Sequence, residues 1–129
     1  MLEAACRLCA CQCPQERALG ANILGQLGVP DRTFPQEAGK TLRDLLGVET
    51  NEDVLDAACI ALGHTPDPTA TPSLVRLKTH PSTRLRFAVA FALADLEDEL
   101  AIKTKIEMTR DGDPSVRDWA TFRAGRHRR

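Results

Sequence analysis

The stretch with the clearest makings of a reactive site is "CRLCACQC", which places Cys6, Cys9, Cys11 and Cys13 close together. C-x2-C and C-x-C steps are metal-ligand spacings, and four thiolates would suit a tetrahedral zinc ion. On a helix, however, Cys6, Cys9 and Cys13 share one face while Cys11 points elsewhere. A reduced cysteine also packs as a small apolar side chain. The run therefore reads as helix core with no bound metal. A metal-binding protein built on Cys6, Cys9, Cys11 and Cys13 is kept as the alternative. Cys59 reads as core as well. The cysteine count is odd, and the N-terminus lacks a basic stretch followed by a long apolar one. Both point to reduced thiols and a cytoplasmic protein.

Other chemistry is thin. No Gly-rich phosphate loop, paired-carboxylate signature or nucleophile–base arrangement is visible, so neither an enzyme nor a cofactor is expected. A net charge of −1 speaks against general nucleic-acid binding. The charge is uneven, at −4 over residues 1–64 and +3 over 65–129, with Arg123, Arg126, Arg128 and Arg129 in a basic tail. No apolar run is long enough to cross a membrane as a helix.

The elements that would carry any site are more legible. "VLDAACIALG" (54–63), "LRFAVAFALA" (85–94) and "VRDWATFRAG" (116–125) repeat at a step of 31, as Val54, Leu85 and Val116 show. Val75 and Ile106, and Asp67 and Asp98, keep the same step. "ERALGANILG" (16–25) is a weaker copy, displaced further because "GVPDRTFP" (28–35) lengthens its connection. Apolar spacing predicts helices over 2–12, 15–27, 36–46, 52–62, 70–79, 82–96, 99–109 and 115–124. Every proline lies between these helices or at a start. Gly28, Gly47, Gly63 and Gly125 are placed past helix ends, and Ser82 and Asp113 at N-caps. No segment alternates at period two, so no sheet is expected.

The segment 82–96 is apolar nearly all round. Leu85, Ala88, Val89, Ala92, Leu93 and Leu96 form one stripe, and Phe87, Ala90, Phe91 and Ala94 cover much of the rest. Such a helix must be covered on several sides. That requires helix pairs stacked side by side. The expected architecture is an all-α domain over residues 1–125, an α-solenoid of four pairs (2–27, 36–62, 70–96 and 99–124), followed by the tail 126–129.

"DPTATPSLVRLKTHPSTRLRFAVAFALADL" and "DGDPSVRDWATFRAG" carry a family pattern: Asp-Pro, a short helix, a turn, then Val or Leu followed by Arg and small residues. This resembles the short bacterial HEAT repeat, the variety found in phycobilisome-lyase HEAT-like proteins. The resemblance spans about residues 2–125 and is strongest over 52–125. It implies that Arg86 and Arg117 tie neighbouring repeats, with Asp113 as the turn residue of the last one. Leu55 departs from the pattern. Metal-dependent hydroxylases of this fold use His-Glu pairs, and the histidines here precede Thr65, Pro81 and Arg128. Trp119 falls on a core stripe with Val116 and Ala120, which reads as a structural tryptophan rather than a glycosylase-like base contact.

The resemblance also implies that the second helices line a concave face. Ile60, Phe91 and Phe122, with Phe87 beside them, would then run along a groove rimmed by Asp53, Asp56, Arg84 and Asp118. Filling of the space between units is the other reading of the same residues, and both stay open. The expectation is a non-catalytic scaffold that binds a protein partner, or a second copy of itself, through that groove. An accessory subunit of a bilin-lyase-like enzyme is the alternative.

Overall fold

The computed structural model describes residues 2–26, 35–64 and 67–125, with side chains at 2–26, 36–64 and 67–121. Among the described residues eight α-helices follow in order: α1 Leu2–Cys9, α2 Pro14–Gln26, α3 Pro35–Val48, α4 Glu52–His64, α5 Thr71–Val75, α6 Thr83–Leu93, α7 Glu99–Met108 and α8 Pro114–Gly125. A 3-10 turn, Pro68–Ala70, precedes α5. The described residues contain no strand. The chain is all-α.

Local chemistry sets most of the starts. Asn51 Oδ1 accepts from Val54 N at 3.2 Å, Ser82 Oγ from Leu85 N at 3.3 Å, and Asp113 Oδ1 from Val116 N at 3.2 Å. These residues cap α4, α6 and α8, and they stand 31 apart in sequence. Asp67 and Asp98 cap the 3-10 turn and α7 in the same way, again 31 apart.

Three expected helices are shorter. Beyond Cys9 the chain tightens: Ala10 N donates to Arg7 O and Cys11 N to Leu8 O, both at 3.1 Å. Such i→i−3 bonds satisfy the last carbonyls of α1 before Pro14 opens α2. The same tightening ends α5 at Val75, where Leu77 N reaches Leu74 O and Lys78 N reaches Val75 O. Helix α6 stops at Leu93 through Ala94 N on Phe91 O and Leu96 N on Leu93 O. Gly47 and Gly63 lie inside α3 and α4 rather than past their ends, and neither has a positive φ. Gly28, the connection 28–34 and the tail 126–129 lie outside the described residues.

The helices form two rows. In one, α2 packs on α4, α4 on α6 and α6 on α8; in the other, α1 packs on α3, α3 on α5 and α5 on α7. Each even helix also packs on the odd helix before it. Close approach needs small residues: a Cβ on Gly25 of α2 would stand 2.8 Å from Ala61 Cα of α4. The core runs between the rows and is filled by Leu24, Leu42, Val54, Leu62, Leu74, Leu85, Val89, Leu93 and Val116, all fully buried. Burying each such side chain contributes about 1.5–3 kcal/mol. The apolar circumference of α6 is explained by its position, since α4, α5, α7 and α8 all touch it.

Candidate functional site

The most regular polar feature is a set of arginines at the first turn of even helices. Arg17 Nη1 donates to the carbonyls of Cys11 and Gln12 at 3.0 and 2.7 Å. Arg86 Nη1 donates to those of His80 and Pro81 at 2.9 and 3.2 Å. Arg117 Nη1 does so to Asp111 and Gly112 at 3.1 and 3.3 Å. In each case one guanidinium nitrogen secures the turn leading into its own helix.

The remaining nitrogens of the first two reach into the next pair. Arg17 Nε and Nη2 meet the Glu49 carboxylate at 2.6 and 3.1 Å, and Arg86 Nε and Nη2 meet that of Asp111 at 2.9 and 3.3 Å. These paired bonds are strong and directional. Both carboxylates are nearly buried and also accept backbone N–H bonds in their own turns, Glu49 from Thr50 and Asn51 and Asp111 from Asp113. Burial alone would push the Glu49 carboxyl up, yet the Arg17 pair and these N–H bonds hold it below its ordinary value.

Arg86 thus bridges the third and fourth pairs, whereas Arg117 holds only its own turn among the described residues. One correction follows for Asp113. It caps α8, and the carboxylate that ties Arg86 is Asp111, two residues earlier. Arg17, Glu49 and Asp111 were missed in the sequence. The weaker first repeat hid Arg17, which aligns with Leu55 once the longer connection is allowed for. Lys105 was missed too. It is 1% exposed, and its ammonium donates to Leu96 O at 2.7 Å and Ala94 O at 3.3 Å, at the C-terminal end of α6. A cation there complements the helix dipole.

The expected groove residues fall on the even helices α4, α6 and α8. Ile60, Phe87, Phe91 and Asp56 are half-buried and Asp118 is exposed. Phe122 lies outside the described side chains. Trp119 is half-buried rather than fully enclosed. Its ring stacks on Phe91 at 6.1 Å between centroids and tilts against Phe87 at 5.9 Å. Phe91 also meets His64 edge-on at 5.6 Å. The aromatic row therefore bridges α4, α6 and α8, filling the joints between pairs while keeping one edge open. One turn before Phe87, Arg84 of α6 pairs with Asp53 at 2.5 Å and Glu52 at 3.5 Å, both at the start of α4. Partial burial pushes the Asp56 carboxyl up despite nearby Arg84.

The four N-terminal sulfurs go to separate places. Cys6 Sγ lies 3.4 Å from Thr41 Oγ1 of α3, Cys11 Sγ donates to Arg7 O at 3.3 Å, and Cys13 Sγ to Gln15 Oε1 at 2.8 Å. Cys9 is buried, and that burial pushes its thiol up to about 11. Among the described residues no three His, Cys, Asp or Glu side chains converge as metal ligands would. Cys59 is fully buried in α4, as expected. An open cleft of about 380 Å³ lies between α1 and α3, lined by Cys6, Cys9, Thr41, Leu45 and Val48. No described helix is long and apolar enough to cross a membrane.

No protein-family model matches the chain, and no curated protein matches it. Among solved structures it is similar to the X-ray structure of YibA from E. coli, a structural genomics target. The TM-score is 0.77 at 23% identity, over 98% of this chain and 47% of that one. This is a likeness of fold, and the chain spans about half the length of the protein it matches.

Proposed function

We propose that the chain is a HEAT-like α-solenoid of four helix pairs and that it acts as a non-catalytic interaction module. The step of 31 recurs in the caps Asn51, Ser82 and Asp113 and in the arginines 86 and 117, which supports the repeat reading. The observation that carries the functional reading is the open edge of the aromatic row. Ile60, Phe87, Phe91 and Trp119 remain half-buried along three consecutive even helices, with exposed Asp53, Arg84 and Asp118 beside them. A half-covered apolar strip with a charged rim is the anatomy of a protein-binding surface. Its occupant is a protein segment that supplies apolar side chains to the strip and charge to the rim.

The test compares the wild-type protein with Phe87→Glu and Asp118→Lys variants as immobilised baits in a lysate of the source organism. Circular dichroism establishes that each variant is folded. Proteins retained by the wild type and lost from folded variants are expected. Equal retention by all three, or none above an empty-matrix control, would overturn the proposal.

A further inference from the structure

We propose that the outward face of the fourth pair, formed by Ile102 and Ile106 of α7 and Arg117 and Thr121 of α8, docks a further helix pair of the same kind, whose inter-helix turn carries a carboxylate. The inference rests on the stacking of pairs and is independent of what the aromatic row binds.

The repeat register identifies this face. Position 71, one step before Ile102, faces the following pair: buried Thr71 donates its Oγ1 proton to Asp98 Oδ1 at 3.0 Å. Glu107 pairs with Lys78 of the preceding pair, which puts Ile102 on the far side of α7, with exposed Ile106 one turn along from it. In the even row, Cys59 and Ala90 are buried, while Thr121, their equivalent, is exposed. Ile106 is 40% exposed.

Arg117 states what the face is built to receive. Its Nη1 holds the Asp111 and Gly112 carbonyls just as Arg17 and Arg86 hold theirs. In those two the other nitrogens grip Glu49 and Asp111 from the turn of the next pair. Among the described residues no carboxylate takes that place at Arg117. Apolar isoleucines beside an arginine already oriented by its own turn thus present half of a joint that occurs twice within the chain. A second copy of this chain is a poorer occupant. Its first turn carries Cys11 where the carboxylate belongs, and a head-to-tail contact leaves an open-ended assembly.

The test extends the full chain. Residues 126–129 are replaced by a second copy of residues 95–125, which continues the 31-residue register and sets the copied Asp111 at the spacing of 25 that separates Arg86 from Asp111. The extended protein is expected to gain helix and to melt in one transition above that of the parent. Arg117→Met should lower its melting temperature by about 3 °C more than it lowers that of the parent. Asp→Asn at the copied Asp111 should remove most of that difference. The inference fails if the added segment gains no helix, or if Arg117→Met costs the same in both chains. It also fails if the parent sediments as a dimer that Arg117→Met dissolves, because a second copy would then be the occupant.

Discussion

Gly63 shows how a single atom joins two pairs. It sits inside α4, where alanine would favour the helix by about 1 kcal/mol. A Cβ there would overlap the Phe91 ring of α6. Overpacking of this kind costs about 1–3 kcal/mol, so Gly63→Ala is expected to lower the urea midpoint despite its better helix propensity. In a Phe91→Leu background the ring is gone and the same change should raise the midpoint. Failure of the sign to reverse would mean that the ring does not set the residue. A second residue-scale expectation concerns acid. The Glu49 carboxyl lies below its unfolded value of 4.5. Its contribution is therefore complete above about pH 4.5 and is lost as pH falls through the folded value. Wild type should lose more stability between pH 7 and pH 3 than Glu49→Gln does, as read from urea midpoints at the two pH values.

At the scale of elements, the joints are not all alike. The first pair is tied to the second by Arg17 and Glu49, and the third to the fourth by Arg86 and Asp111. Between the second and third, buried Leu55 stands in the arginine's place. His80, whose Nδ1 accepts from Ser82 N at 3.0 Å, stands in the carboxylate's. Both members of the rung are changed together, so neither is left as an unmatched charge. Leu55→Arg alone should destabilise, because it exchanges an apolar contact for a cation facing a histidine. Leu55→Arg with His80→Asp should recover about 1–3 kcal/mol of that loss, read as the coupling term of a double-mutant cycle. Additive effects would show that this joint has a different geometry.

The same elements show what the sequence could and could not say. The helices and their order followed from apolar periodicity, the prolines and the caps, which are all local. The step of 31 also set Arg86 and Arg117 at equivalent positions, each holding the turn into its own helix. What stayed hidden depends on the third dimension. Asp111 and Asp113 are equally plausible turn acids until their directions are known. Gly63 resembles a helix terminator until Phe91 is seen above it. Lys105 is a lysine on the buried stripe of Ala101, Thr104 and Met108, a conflict that the carbonyls of Ala94 and Leu96 help to resolve. At the candidate binding surface, the sequence supplied Ile60, Phe87 and Phe91 but assigned Trp119 to the closed core.

For the whole molecule, the order of contacts has a thermodynamic consequence. Every extensive helix contact lies within a pair or between adjacent pairs. Stability then behaves as a sum of pair terms and joint terms, and opening proceeds from the ends. Helices α4 and α6 are flanked on both sides in their row, whereas α2 and α8 are each flanked on one. Amides of α4 and α6 should therefore exchange only through global unfolding. Those of α1, α7 and α8 should exchange through smaller openings that respond weakly to denaturant. Leu85→Ala, at the centre of α6, should cost about 2–5 kcal/mol and lower protection in all four pairs. Val116→Ala, in the last even helix, should lower protection mainly in α7 and α8. Native-state hydrogen exchange across low urea concentrations reads this directly. Uniform loss of protection from both substitutions would show that the pairs unfold as one closed unit, and the additive stack proposed for this chain would have to be abandoned.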